Sequence, residues 1–171
     1  SYSNSNYFIL GLGIEELTGE SFESLLTERI FSPVGMEHTT LRDHHDEVVV
    51  GVAPAYSPND DLGGWALAMT DWEQVGDGAI QSTVGDLLRW QAALEDGDVA
   101  SFDMYDSLQF DPVDMGDGTT SYARGLIESQ EDGVTYLGHS GTSAGYRSAL
   151  EAIPDEGLAA AVLCNRADAD A

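Results

Sequence analysis

Residues 134–165 read "VTYLGHSGTSAGYRSALEAIPDEGLAAAVLCN", and the spacing of their apolar positions decides the fold. Apolar and polar residues alternate through "VTYLGHSG", "GYRSALEAIP" and "GLAAAVLCN", the signature of half-buried strands rather than helices. A further strand, "YARGLIES", precedes them at 122–129. Asp132-Gly133 and Pro154–Gly157 carry turn chemistry, so successive strands run antiparallel. The joint "HSGTSAG" at 139–145 is different, being small, polar and rich in glycine. About four strands are expected.

Upstream the period lengthens. Asn4 is placed to cap a helix over residues 5–18 that Gly19 closes. Phe8, Leu10, Leu12, Ile14 and Leu17 leave few polar positions in it, so it is expected to be mostly buried. Gly11 and Gly13 lower helix propensity, a cost that close packing against a neighbour offsets. A second helix is expected at about 21–31, striped by Phe22, Leu25, Leu26 and Ile30 and stopped before Pro33. Residues up to about 78, with Pro54, Pro58 and Gly63-Gly64, read as irregular. Thr83 and Asp86 fit a capping box that opens a helix along Leu87, Trp90 and Leu94, with Gly97 as its stop. An acidic, loop-like stretch follows. Helices first and an antiparallel sheet afterwards make an α+β fold in a single domain over 1–171, helical and looped to about 100, sheet from about 120 to 166.

Charge defines the setting. The 171 residues hold 31 Asp and Glu against 6 basic residues, all Arg, for a net charge of -25. Apolar residues are plentiful and periodic, which excludes a disordered acidic chain. At molar salt the Debye length falls to about 3 Å, which removes most of the self-repulsion. Adaptation to a high-salt environment is the expectation, with a basic partner as the alternative. Nucleic acid is a poor partner for such a surface. No apolar run approaches 18 residues, so no membrane span is expected. The sequence does not distinguish a cytoplasmic from a secreted location. Cys164 lies in an apolar strand and reads as a small core residue, with no second cysteine to pair with.

Several patterns bear on chemistry. "GTSAG" at 141–145 has the form of a nucleophile elbow around Ser143. That motif requires a following helix, whereas "YRSALEAIP" alternates, and all four His residues precede Ser143. An α/β-hydrolase using Ser143 is therefore the weaker reading. His38, His44, His45 and Asp46 in "HTTLRDHHD" are metal-ligand types, but adjacent imidazoles on a loop rarely aim at one point, and no metal or cofactor is expected. The run "DPVDMGDG" at 111–118 misses the spacing of a calcium loop and reads as solvated acids. Two short triplets remain: Tyr2-Ser3-Asn4 at the start of a helix, and His139-Ser140-Gly141 in a strand.

Those triplets and the segments between them resemble the serine β-lactamase-like hydrolases, which include class C β-lactamases, penicillin-binding proteins and related esterases and peptidases. Tyr2-Ser3-Asn4 is similar to the family's Tyr-x-Asn motif. "IFSPVGM" at 30–36 resembles a helix end of the family, and "GDGAIQSTVGDLLRWQAAL" at 76–94 its Gly-rich turn and following helix. His139-Ser140-Gly141 resembles its third motif, Lys-Thr-Gly in β-lactamases and often His-x-Gly in esterase-like and peptidase-like relatives. The likeness runs from about residue 2 to 166, in the family's order.

The resemblance implies a partial β-lactamase/transpeptidase-like fold and acyl transfer through a serine ester. Tyr2 would relay the nucleophile's proton, and Asn4 would donate its amide to a substrate carbonyl. Ser140, Gly141 and Thr142 would align the substrate backbone, the Thr142 N–H serving as an oxyanion donor. The family's nucleophile and base lie in a Ser-x-x-Lys motif that precedes Tyr-x-Asn. Without a Lys, these residues cannot contain it, so the expectation is a C-terminal portion that lacks acyl transfer alone and needs an N-terminal segment. The final helix on the sheet is also expected to be missing, leaving an apolar face and an open edge prone to self-association. His139 is shorter than Lys and mostly neutral at pH 7, which favours esters, small amides or peptides over β-lactams. A non-catalytic binding module of the same fold is the competing expectation, and an acidic binding domain with no active site a further one.

Overall fold

The computed structural model describes residues 2–73, 75–97, 99, 107–109 and 111–170. The acidic loop expected after residue 97 lies partly outside them. Helix α1 spans Asn4–Thr18, α2 spans Phe22–Leu26, α3 spans Ser32–Val34 and α4 spans Val84–Asp96. A six-stranded antiparallel sheet forms from β5 (Val113–Asp114), β6 (Thr120–Ala123), β7 (Leu126–Glu131), β8 (Val134–Ser143), β9 (Tyr146–Ile153) and β10 (Leu158–Cys164). Its strand order is β10-β9-β8-β7-β6-β5, each strand beside its neighbour in sequence. Two small antiparallel pairs stand apart: β1 (Thr40–Leu41) with β4 (Ile80–Gln81), and the hairpin of β2 (Tyr56–Asn59) with β3 (Gly64–Leu67).

The α+β order holds, with six strands in the main sheet instead of about four. "YARGLIES" is two strands, because Arg124 (φ 44°) and Gly125 (φ 101°) turn the chain so that Ala123 pairs with Leu126. The stretch read as irregular contains the β2–β3 pair, which Pro58 does not prevent, since β2 is bonded in a full ladder to β3 alone. The second helix continues past residue 31. A π-turn over Thr27–Phe31 resets the hydrogen-bond phase, Pro33 falls at the start of α3, and Gly35 ends the run in the left-handed region.

The largest departure concerns α1. Ser3, not Asn4, is the N-cap residue, and no side chain caps this helix. Only Gly11 is buried. Ile9, Leu10, Leu12, Ile14 and Leu17 are exposed, Leu17 by 88%. The helix touches its neighbours through its small residues: a β-carbon at Gly11 would lie 3.3 Å from the Val75 carbonyl oxygen, and one at Gly76 would come within 2.5 Å of the Tyr7 carbonyl oxygen. Tyr7, Phe8 and Glu15 are half-buried, Glu15 accepting from the Phe22 backbone N–H (2.8 Å), while Ile9, Leu10, Leu12 and Leu17 face solvent. The core lies elsewhere, with Leu25, Phe31, Met36 and Leu41 near β1, Ala93 and Leu94 on α4, and Leu137 and Ala152 in the sheet. Among the described residues no helix is long and apolar enough to cross a membrane.

Helix α4 is anchored by Asp86, which has no exposure. The Asp86 backbone N–H donates to Thr83 Oγ1 (3.2 Å), half of the expected capping box. The carboxylate does not reach back to Thr83. Its Oδ2 accepts from the His38 backbone N–H (2.8 Å) and from Thr39 Oγ1 (2.9 Å), while Oδ1 accepts from Arg89 Nη1 (2.7 Å). Asp86 thus ties the helix to the segment before β1.

Candidate active site

Three rings from the two ends of the chain meet. Tyr2, just before α1, lies 5.7 Å between centroids from His139 on β8. Tyr122 on β6 stands edge-on to both, 5.3 Å from Tyr2 and 5.9 Å from His139. Behind them Tyr7 on α1 has its ring 6.4 Å from Tyr2 and shares a hydroxyl–hydroxyl hydrogen bond with Tyr122. Edge-to-face contacts of this kind fix ring orientation as well as proximity.

Sheet register accounts for the meeting. The β7–β8 ladder ends at Ile127 opposite Gly138, whereas β8 continues beside β9 through Ser143 opposite Tyr146. Residues 139–143 therefore have a strand neighbour on one side only. Tyr122 is opposite Ile127, one row from His139, and its ring closes the end of the shorter strands. Glycine is needed beneath. A β-carbon at Gly138 would collide with the Leu150 carbonyl, and one at Gly141 would lie 2.5 Å from Ser148 Oγ.

The polarity is distinctive. His139 Nδ1 lies 2.6 Å from the Ser140 carbonyl oxygen. A carbonyl only accepts, so His139 Nδ1 is the donor in this contact. Burial raises the Tyr2 phenol above its ordinary value, with the negative charges of ionised Tyr7 and of Asp77 adding to the effect. Tyr122 is also raised, first by burial and then by its hydrogen bond with Tyr7. No cation is among the causes acting on either phenol. In this environment both are neutral hydroxyls at pH 7.

Of the residues singled out in the sequence, Tyr2 and His139 come together. Ser140, Gly141 and Thr142 follow His139 along the open part of β8, with Ser140 and Thr142 exposed. Asn4 opens α1, exposed, and makes no side-chain hydrogen bond among the described residues. Tyr7 and Tyr122 had no motif to mark them; only the strand register brings Tyr122 to the site. Ser143 closes β8 opposite Tyr146, and the chain turns through Ala144 and Gly145 into β9. A hairpin therefore stands where a nucleophile elbow needs a helix. His38 contributes its backbone to Asp86, while His45 Nδ1 lies 2.7 Å and His44 Nδ1 4.0 Å from Glu73 Oε1. In the 111–118 run, Asp114 accepts from the Gly116 and Gly118 N–H groups and Asp117 from those of Thr119 and Thr120, so these carboxylates shape turns.

Nearly the whole chain is similar to known proteins. A D-aminopeptidase of Cereibacter sphaeroides is 29% identical over 168 residues, 96% of this chain and 32% of the relative. The chain thus spans about a third of the length of the curated relatives it matches. An octameric penicillin-binding protein homologue from Pyrococcus abyssi superposes with a TM-score of 0.84 at 26% identity, over 96% of this chain and 38% of that one. A penicillin binding protein from Bacillus halodurans gives 0.88 at 21% identity, over 99% and 52%, a likeness of fold. The Beta-lactamase family profile matches residues 1–171, and the chain belongs to the beta-lactamase family.

Proposed function

We propose that these residues form the Tyr-x-Asn and His-x-Gly walls of an acyl-transfer site in a serine hydrolase that cleaves amide, ester or small-peptide substrates. The observation that supports this best is the placing of Tyr2 against His139 at the open side of β8. An extended substrate can pair with that side of the strand, as peptides add to sheet edges elsewhere. Ser140 and Gly141 then align it, Asn4 donates to its carbonyl, and the Thr142 N–H supports the oxyanion. Tyr2 moves the proton between nucleophile and leaving group. The nucleophilic serine and its lysine come from the part of the protein outside these residues, which contain no Lys. On this reading the chain is one portion of a larger domain, requires no cofactor, and carries its acids as an adaptation to high salt. The D-aminopeptidase relatives favour amides over esters among the substrates.

A serine-directed fluorophosphonate followed by intact-mass measurement tests the proposal. Labelling is expected in the full-length protein and not in residues 1–171 alone. Tyr2→Phe should lower the rate of ester cleavage by about 10²–10⁴, the range for losing a general acid–base group. Labelling of the 171 residues that is lost in Ser143→Ala refutes the assignment. One observation favours a non-catalytic module instead: among the described residues no cation acts on Tyr2, and its phenol is raised, not lowered. A folded, full-length protein that takes no label establishes that second reading.

A further inference from the structure

Tyr2 is placed by its surroundings and not by its own helix. It precedes Ser3, an N-cap residue in extended conformation (φ -156°, ψ 124°) whose side chain caps nothing. The Tyr2 side chain makes no hydrogen bond among the described residues, and its contacts there are with the rings of Tyr7, Tyr122 and His139. Tyr122 serves both sides of the site, since its ring also stands edge-on to His139, at 83° between planes. The sheet fixes Tyr122, with Val113 opposite it on β5 and Ile127 on β7. Tyr7 is fixed as firmly. Its backbone carbonyl is packed against Gly76, and its hydroxyl lies beside the β6–β7 turn, 3.8 Å from where a Gly125 β-carbon would be. The bond between the Tyr7 and Tyr122 hydroxyls then joins α1 to the sheet across 115 residues of sequence. Both side chains are half-buried, and neither hydroxyl has a second partner among the described residues.

We propose that the Tyr7–Tyr122 hydroxyl pair is a brace that sets the rotation of α1 against the sheet, and that Tyr122 is thereby a positioning residue for Tyr2 and His139. Its effect on rate rests on the hydrolase reading above; the brace itself is a matter of geometry and does not. The glycine contacts at Gly11 and Gly76 set how near the helix lies, but contacts without side chains resist rotation about the helix axis poorly. A directional bond at a ring's length from that axis resists it with a long lever. Tyr2, beyond the first turn, is displaced most by such a rotation, and a proton relay misplaced by about 1 Å loses about 10² in rate.

The test uses the full-length protein and the variants Tyr7→Phe, Tyr122→Phe, both together, and Tyr122→Leu. Two quantities are measured on each: turnover of p-nitrophenyl acetate, and the through-space NMR contact between the ring protons of Tyr2 and His139. Thermal unfolding establishes that each variant is folded. Either single Phe variant is expected to lower kcat about tenfold with KM changed less than about twofold. The double variant should be no worse than either, because it removes the bond without leaving an unpaired hydroxyl. Tyr122→Leu, which removes the ring as well, should lower kcat by about 10² and abolish the Tyr2–His139 contact. A role confined to stability predicts instead a lower Tm with kcat and the NMR contact unchanged. Wild-type kcat or an undiminished contact in Tyr122→Leu overturns the positioning role. Losses that add in the double variant overturn the hydroxyl pair as the brace. Where Tyr122→Leu does not fold, unchanged kcat and contact in the three Phe variants overturn the proposal. A folded wild-type protein that cleaves no ester refutes the hydrolase reading, and the NMR contact, which needs no turnover, then decides the brace alone.

Discussion

Removing the Asp86 carboxylate should cost far more than a helix-capping residue does. Asp86 has no exposure and its two oxygens accept three hydrogen bonds, from the His38 N–H, Thr39 Oγ1 and Arg89 Nη1. In Asp86→Ala the Thr83 cap survives, because it receives a backbone N–H. Thr39 keeps its bond with Ser82 Oγ (2.7 Å), and Arg89, 56% exposed, turns to water. The His38 N–H is left without a partner, which costs about 1–3 kcal/mol. Adding the charge-assisted bonds lost from Thr39 and Arg89 brings the total to roughly 3 kcal/mol, a large share of the 5–15 kcal/mol typical of a domain. Asp86→Asn retains one oxygen for His38 and Thr39 and gives up the bond from Arg89, so about 1 kcal/mol should be lost. Urea unfolding at several salt concentrations measures both variants. If Asn proves as costly as Ala, or if the cost vanishes in high salt, the Arg89 ion pair dominates and the tie to His38 and Thr39 is refuted.

Four further outcomes are expected. Gly141→Ala places a β-carbon 2.5 Å from Ser148 Oγ and should destabilise by about 1–3 kcal/mol, most of it recovered in the double variant with Ser148→Ala, as thermal unfolding will show. Gly138→Ala meets the backbone of Leu150 and no single side-chain change should rescue it. Ala79 has φ 72°, so Ala79→Gly should stabilise by about 1 kcal/mol, provided that the bond from the Arg42 N–H to the Ala79 carbonyl (3.0 Å) is kept. Tyr122 is held above its ordinary value of 10.0, chiefly by burial, so the folded state keeps a proton that the unfolded chain releases. Its contribution to stability is complete below pH 10 and declines as pH rises beyond it; Tyr122→Phe should flatten that decline in a denaturation series followed by phenolate absorbance.

What was legible in the sequence was whatever local rules determine. Gly19 and Gly97 end α1 and α4 in the left-handed region, and Thr83 caps α4 as its neighbours require. Asp132 and Gly133 both have positive φ and turn β7 into β8, the conformation their side chains favour. The strands at 134–164 followed from alternation alone. Legibility failed where a residue answers to a distant partner. Asp86 looks like the third residue of a capping box, but its carboxylate goes to His38 and Thr39, 48 and 47 residues away. Apolar content misled at α1, because it reports what a helix can bury and not what lies beside it.

The site divides along the same line. Tyr2 and His139 each stand in a short triplet that the sequence marks, and the fold brings their rings together. Tyr122 has no local signature and arrives through the register of β6 on β7. Motifs preserve the atoms that perform a reaction, whereas the packing around them is set by residues that long-range topology delivers.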